Sequence, residues 1–268
     1  MSALSYTVVE GSRPQRDVFL CHGILGSARN WLGFTRKWVR RNPELRVVLV
    51  DLRGHGDSPS MTPPHTVAAC VADLHALAKQ LQSHPSVVIG HSFGGRVALA
   101  YATSQPDLLE QVWVLDATPG DVADSPDTDI TDVIATLREV PQPLQNRSDV
   151  VEFLSNRGYD ETISRWMSTN LRRTPQGLVW RFDLDVVVSL IEDYFVQDLW
   201  ELVETPASEP EVHLVQAERS NRWTPRICQR LESLPSSAPT HLHVLAHSDH
   251  WVHVDNPEGL LALLEDWI

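Results

Sequence analysis

The sequence predicts an α/β protein built on an open, mostly parallel, twisted sheet flanked by helices. Three observations carry this. Short β-rich apolar runs recur along the chain, each followed by turn residues or a helical stretch, and such alternation marks a sheet covered by helices. The runs are continuously apolar rather than alternating, as strands buried on both faces are. The rhythm then breaks over 121–206 and resumes afterwards, which divides the chain into a core (1–120 and 207–268) and a mostly helical insertion (121–206).

The first four strands are read at 17–23 (DVFLCHG), 46–54 (RVVLVDLRG), 86–92 (SVVIGHS) and 111–120 (QVWVLDATPG). Between them, 66–81 (TVAACVADLHALAKQL) places apolar residues at helical spacing, and GRVALAYATSQPD reads as a helix ended near Pro106. Inside the insertion, helices are expected at DITDVIATLREV, SDVVEFLSN, DETISRWMSTNL and VVVSLIEDYFVQDLWELV, with GLVWRFDLD as a short strand or turn. The alternation returns with a strand at 211–220 (EVHLVQAERS), a helix near TPRICQRLESL, a strand in HLHVLAHSDHW and a closing helix PEGLLALLEDWI.

Composition excludes several functions. A formal charge of −13 on 268 residues opposes nucleic acid, whose phosphates demand clustered Lys and Arg, and opposes an anionic membrane surface. No apolar run reaches the length of a membrane span. The N-terminus lacks a basic segment followed by an apolar one, so no signal peptide is expected. Three cysteines without a CxxC pair suit a reducing compartment, and the cytoplasm is the expected location. Nothing in the sequence indicates the oligomeric state.

The chemistry centres on Gly90-His91-Ser92-Phe93-Gly94, a G-x-S-x-G placed between an apolar strand and a helix. That context is a nucleophile elbow, a strained turn that presents the serine. Flanking glycines are needed where side chains would collide with neighbouring backbone, and the following helix directs its positive end at the serine. A phosphate loop is the competing reading, but the Lys-Ser/Thr of a P-loop and the Rossmann spacing are both missing. A serine needs a base and an orienting acid, here in the chain order Ser, acid, His. Five histidines lie in HLHVLAHSDHWVH. His241 and His243 alternate along a strand and His253 follows the loop, so these read as structural or exposed. His250 sits in the loop after the last strand and is the expected base, with His247 the second candidate. The cluster lacks HExxH or cysteine spacing, so no metal is expected. Phe93, directly after the nucleophile, supplies one backbone N–H to an oxyanion hole.

Taken together, CHGILGSARNW, VDLRGHGDSP, GHSFGGRVALAYA, LDATPG and HWVHVDNPEGL resemble the α/β-hydrolase superfamily over nearly the whole chain. HGILGS, LRGHGDSP and NLRRTPQGLVWRFDLD are similar in particular to small intracellular carboxylesterases of the YbfF type and their mitochondrial abhydrolase-domain relatives. The resemblance implies an α/β-hydrolase fold with a helical cap inserted after the sixth strand. It also implies the Ile24 N–H as second oxyanion donor. In many superfamily members the acid follows the seventh strand as G-x-x-D; this chain has Ala217-Glu218-Arg219-Ser220 there, a serine where the aspartate would stand. The resembling esterases carry their acid after the sixth strand, which gives Asp116. Glu218 is the rival, since it preserves the same order. Asp249 and Asp255 read as solvated loop residues, and Asp51, Arg53, His55 and Asp57 as groups that fix their own loop.

Leu25 and Phe93 are candidate pocket walls. Trp166 and Trp180 could line an acyl pocket, although aromatic residues at helical spacing also serve as insertion core. The function expected is a cofactor-free serine hydrolase that cleaves small carboxylic esters through an acyl-Ser92 intermediate. A thioesterase, lactonase or amidase would use the same triad. A different class is a non-catalytic ligand-binding protein on this fold, which would have no need of a complete Ser-acid-His set. A serine rather than an aspartate at the elbow disfavours dehalogenases and epoxide hydrolases.

Overall fold

The computed structural model describes residues 4–104, 108–120, 128–205 and 210–268. In chain order the strands are β1 (Tyr6–Glu10), β2 (Arg16–Cys21), β3 (Leu45–Val50), β4 (Val87–His91), β5 (Gln111–Leu115), β6 (Leu171–Thr174), β7 (Gly177–Trp180), β8 (Glu211–Ala217) and β9 (Thr240–Leu245). Seven of them form one sheet ordered β1-β3-β2-β4-β5-β8-β9, while β6 and β7 pair as a separate antiparallel hairpin. The sheet is parallel except for β1, which runs antiparallel to β3 at one edge. The fold class is therefore as expected: α/β, with a mostly parallel sheet.

The helices are α1 (Ala28–Arg41), α2 (Val67–Leu81), α3 (Phe93–Ser104), α4 (Thr128–Arg138), α5 (Arg147–Ser155), α6 (Glu161–Thr169), α7 (Leu184–Val196), α8 (Trp200–Glu204), α9 (Pro225–Glu232), α10 (Val252–Asp255) and α11 (Pro257–Trp267). Two apolar layers sandwich the sheet. On one face Trp31, Phe34 and Trp38 of α1 and Leu260, Leu261 and Leu264 of α11 pack with Val47, Ile89 and Trp113. On the other, Leu74 of α2, Val97 of α3 and Ile227 of α9 pack with Phe19, Val88 and Val114. A third cluster, including Ile134, Leu154, Met167, Leu171, Trp180 and Val187, fills the segment between β5 and β8 and reaches the sheet through Leu25.

Sheet order places the chemistry. From β2 the chain crosses outward to β3, then returns past β2 to β4. The loops that leave β2 and β4 therefore diverge at their C-terminal ends, and in open α/β sheets that crevice is where ligands bind.

Several elements differ from the expectation. Neither β1 nor α1 stands out in the sequence: β1 is a largely exposed edge strand, and α1 hides a narrow buried face among six charged or amide side chains. The strand before the insertion is fifth in chain order among the described residues, not sixth. The single helix expected at VVVSLIEDYFVQDLWELV is two, α7 and α8. Its break is tertiary: Leu199 N donates to Pro119 O at 2.9 Å, and the Asp198 side chain accepts from Trp200 N at 3.1 Å. The helix expected through Leu171 stops at Thr169, because Leu171 opens β6 and pairs with Trp180. Helix α3 ends at Ser104; Pro106 and the junctions expected near 121 and 206 lie at residues outside those described. Among the described residues no helix is long and apolar enough to cross a membrane.

Candidate active site

Ser92 stands between β4 and α3 with φ 52°, a left-handed backbone that a non-glycine residue adopts only when its surroundings enforce it. Both ends are pinned: Ser92 N donates to Leu115 O at 2.9 Å, and Ser92 O accepts from Gly95 N at 2.8 Å. The flanking glycines are obligatory for contact reasons. A Cβ on Gly90 would lie 1.9 Å from Gly94 O, and one on Gly94 would lie 2.5 Å from His22 O. Phe93 opens α3, so its N–H is among those with no intrahelical acceptor.

Asp116 follows β5 with φ 48° and is fully buried. Its Oδ2 accepts from His250 Nδ1 at 2.8 Å; its Oδ1 accepts from Trp223 Nε1 at 2.8 Å and from Ala217 N at 3.1 Å. The Ser220 side chain also bonds to it. Burial alone would push this carboxyl up, but the His250 hydrogen bond and charge, followed by Trp223 and Ser220, outweigh it and hold the acid at about 2. An ionised carboxylate only accepts, so His250 carries its proton on Nδ1 and keeps Nε2 as the basic nitrogen. Glu218 and His247, the alternative acid and base, are placed elsewhere. Both are exposed, and Glu218 accepts from the His247 backbone N at 2.7 Å.

The loop after β2 is shaped by two neutral histidines. His22 Nε2 accepts from Leu52 N at 3.0 Å, which leaves Nδ1 as donor to Gly23 O at 2.7 Å. His55 Nε2 accepts from Leu25 N at 3.2 Å while its Nδ1 donates to Arg53 O at 2.9 Å. Burial pushes them down to about 4 and about 3, so both act as uncharged spacers. Leu25 takes φ 62°. Leu25 N is given to His55 and Gly26 N to Gly23 O, whereas Ile24 N makes no backbone–backbone hydrogen bond among the described residues. The 51–57 loop is tied down by Asp51, which accepts from Ala28 N at 2.8 Å and Asp57 N at 3.0 Å, and by Arg53 against Asp73 at 2.7 Å.

A cavity of about 490 Å³ joins these pieces. Ile24, Leu25, Ser92, Phe93, His250 and Trp251 line it from the sheet side; Ile130, Val133, Ile163, Trp166, Met167 and Phe195 line it from the inserted segment. Trp166 packs on Trp251 with ring centroids 4.2 Å apart. Trp180, expected as a second wall, does not line this cavity. It sits on β7, stacks on Phe182 at 5.1 Å and borders a separate groove, because strand pairing with Leu171 turns its ring into the inserted core. Asp249 and Asp255 reach the cavity rim, where Asp255 Oδ2 accepts from Asp249 N.

The family model described as "Alpha/beta hydrolase family" matches residues 18–263. The chain belongs to that family. The mouse sn-1-specific diacylglycerol lipase ABHD11 is 29% identical over 99% of this chain and 85% of its own. The Escherichia coli esterase YbfF is 24% identical over 94% of this chain and 92% of its own. Among solved structures, a marine microorganism esterase superposes with a TM-score of 0.84 at 22% identity and covers all of both chains. The relatives named as lipase and esterase support hydrolase activity for a member of this family.

Three residues of the hydrolase site escaped sequence reasoning. His91, the first variable position of the elbow motif, donates from Nε2 to the His250 carbonyl at 2.7 Å and so anchors the loop that carries His250. Burial and the neighbouring His250 and His253 push it well below the usual imidazole range. Ser220 stands in sequence where many superfamily members place the acid, and in space its side chain bonds to Asp116. Trp223 had no signal, since only folding of the loop after β8 brings its indole to Asp116.

Proposed function

We propose that this α/β hydrolase is a carboxylesterase-type serine hydrolase whose triad is Ser92, His250 and Asp116. The Asp116–His250 hydrogen bond, set in the same crevice as a strained Ser92, carries this reading. Ser92 Oγ attacks the ester carbonyl carbon as His250 Nε2 takes its proton. The Ile24 and Phe93 N–H groups receive the oxyanion. Collapse expels the alcohol, protonated by His250, and leaves acyl-Ser92. Water deprotonated by His250 then attacks the acyl carbon, releasing the acid and restoring the serine. Asp116 stays ionised throughout and holds the imidazole in the useful tautomer.

Residues 121–206 act as a cap over a core of 1–120 and 207–268, with Leu25 and Trp166 walling the acyl side. The apolar lining favours an uncharged acyl chain, in keeping with relatives named for ester cleavage. Three free cysteines, two of them buried, suit a cytoplasmic setting, and the substrate is the only partner the reading requires. The test is hydrolysis of p-nitrophenyl esters and thioesters graded by acyl length, wild type against Ser92→Ala. Turnover by the wild type and none by the variant supports the reading. Equal rates, or no turnover of any ester, favours a non-catalytic binder.

A further inference from the structure

At the opposite end of the sheet from Ser92, the pairing of β8 with β9 assembles a group of side chains that sequence spacing does not foretell. Register sets His213 directly opposite His241, and Glu211, two residues before His213, shares its face. The rings form a slab: His213 lies 4.0 Å from Trp113 and 4.9 Å from His241, and the Trp267 edge caps His213 at 4.8 Å. Within that slab one polar atom is out of place. His213 is fully buried, and its Nε2 has no hydrogen-bond partner among the described residues. Such groups are uncommon in folded proteins, because an unmet buried polar atom costs on the order of 1–3 kcal/mol.

The other ring nitrogen explains the orientation. His213 Nδ1 lies 3.0 Å from His243 Nε2. When that Nδ1 carries the single proton of the neutral ring, it donates to His243 and turns a lone pair of Nε2 toward Glu211. The nearer Glu211 oxygen is 3.5 Å away and is itself an acceptor, receiving Gln111 Nε2 at 3.2 Å. Two acceptors then face each other, with a third donor atom of His241 beside them; the ligand atoms of Glu211, His213 and His241 all lie within 4.8 Å of one another.

We propose that Glu211, His213 and His241 bind one divalent cation of the zinc type. Two imidazoles and a carboxylate are the donor set that such borderline ions take, with water completing the tetrahedron. Neighbouring ligand atoms in a zinc tetrahedron lie roughly 3.3 Å apart, and the half-buried Glu211 and His241 side chains can close that difference while His213 stays fixed. His243 and Gln111 serve as outer partners, orienting His213 and Glu211 as outer-shell groups do at metal centres. The ion ties the edge strand β9 to β8. Level with His213, it stands about 13 Å from the C-terminal end of β8, given the rise per strand residue, and takes no part in ester cleavage.

The test is titration of the chelator-treated full chain with zinc chloride by calorimetry, and with cobalt(II) by visible absorption. One equivalent is expected, with tetrahedral cobalt bands and a raised melting temperature. Because His213 is packed on Trp113, the variants are His241→Ala and Glu211→Gln, checked for native circular dichroism. Each should weaken zinc binding by at least ten-fold, as loss of a ligand must when outer partners alone contribute about that much. His247→Ala should leave zinc binding intact, and ester hydrolysis should be unchanged in His241→Ala. Fewer than one equivalent, or affinity unaltered in both ligand variants, overturns the proposal.

Discussion

Asp116 shows how a single side chain is made fit for one task. It is fully buried yet held ionised, because His250, Trp223, Ser220 and a backbone amide converge on two oxygens. Replacing it by Asn preserves shape but reverses the hydrogen-bond logic at His250, so kcat for an activated ester should fall by about three to four orders of magnitude. Glu218→Gln should change it less than a few-fold; a larger loss there would hand the acid role to Glu218. Trp223→Phe removes one donor to a buried charge, a loss of about 1.5–3 kcal/mol. Steady-state kinetics should show kcat reduced ten-fold or more with little change in KM, and an unaltered kcat would make Trp223 mere packing. Ser92 was legible because a five-residue motif between a strand and a helix confined it. Trp223 was not, since its role depends on a contact 107 positions away that leaves no local trace.

The elbow and the inserted segment are the elements on which the site depends. Gly90→Ala would place a methyl against the Gly94 carbonyl, and because the obstacle is backbone it cannot yield. The variant should lose about 3 kcal/mol or more of stability, measured by urea unfolding, and its activity should fall with it. Arg96 on α3 is the buried link between the layers: Nε donates to Thr118 O at 3.0 Å, Nη1 donates to Tyr194 O on α7, and the guanidinium lies 3.8 Å over the Tyr194 ring. Arg96→Met strips those carbonyls of charged donors and should cost about 2–4 kcal/mol; an unchanged urea midpoint would show that the link is dispensable. Strands such as β4 and β5 were legible because continuous apolar runs declare burial on both faces. The α7–α8 break was not, because the local sequence favours one helix and the interruption comes from Leu199 bonding to Pro119 and Asp198 capping Trp200. Strand β7 was anticipated in GLVWRFDLD, whereas its partner β6 escaped, Leu171 being as good a helix residue as a strand one.

Across the whole molecule, an unusual share of the imidazoles is buried and neutral. His22 and His243 are pushed down to about 4, and His55, His213 and His253 to about 3, in each case by burial first. In the unfolded chain they take up protons as pH falls through about 6.5, while in the fold they resist until about 4 to 3. Stability is therefore complete above about pH 6.5 and is lost progressively below it. The deeply buried His22, His55 and His253 contribute most of this dependence, and the half-buried His243 less. The urea midpoint should be level above about pH 7 and fall steeply between about pH 6.5 and 4.5; a flat profile across that range would show these histidines protonating in the fold. Nothing in this pattern disturbs the site at neutral pH, where Asp116 remains charged. The central claim, that Ser92 is the nucleophile, is tested most directly by mass spectrometry of protein treated with a fluorophosphonate probe. A single adduct on the peptide that contains Ser92, absent from Ser92→Ala and much slower to form in His250→Ala, is the result expected. An unmodified Ser92 in catalytically active protein, or an adduct that persists in Ser92→Ala, would contradict it.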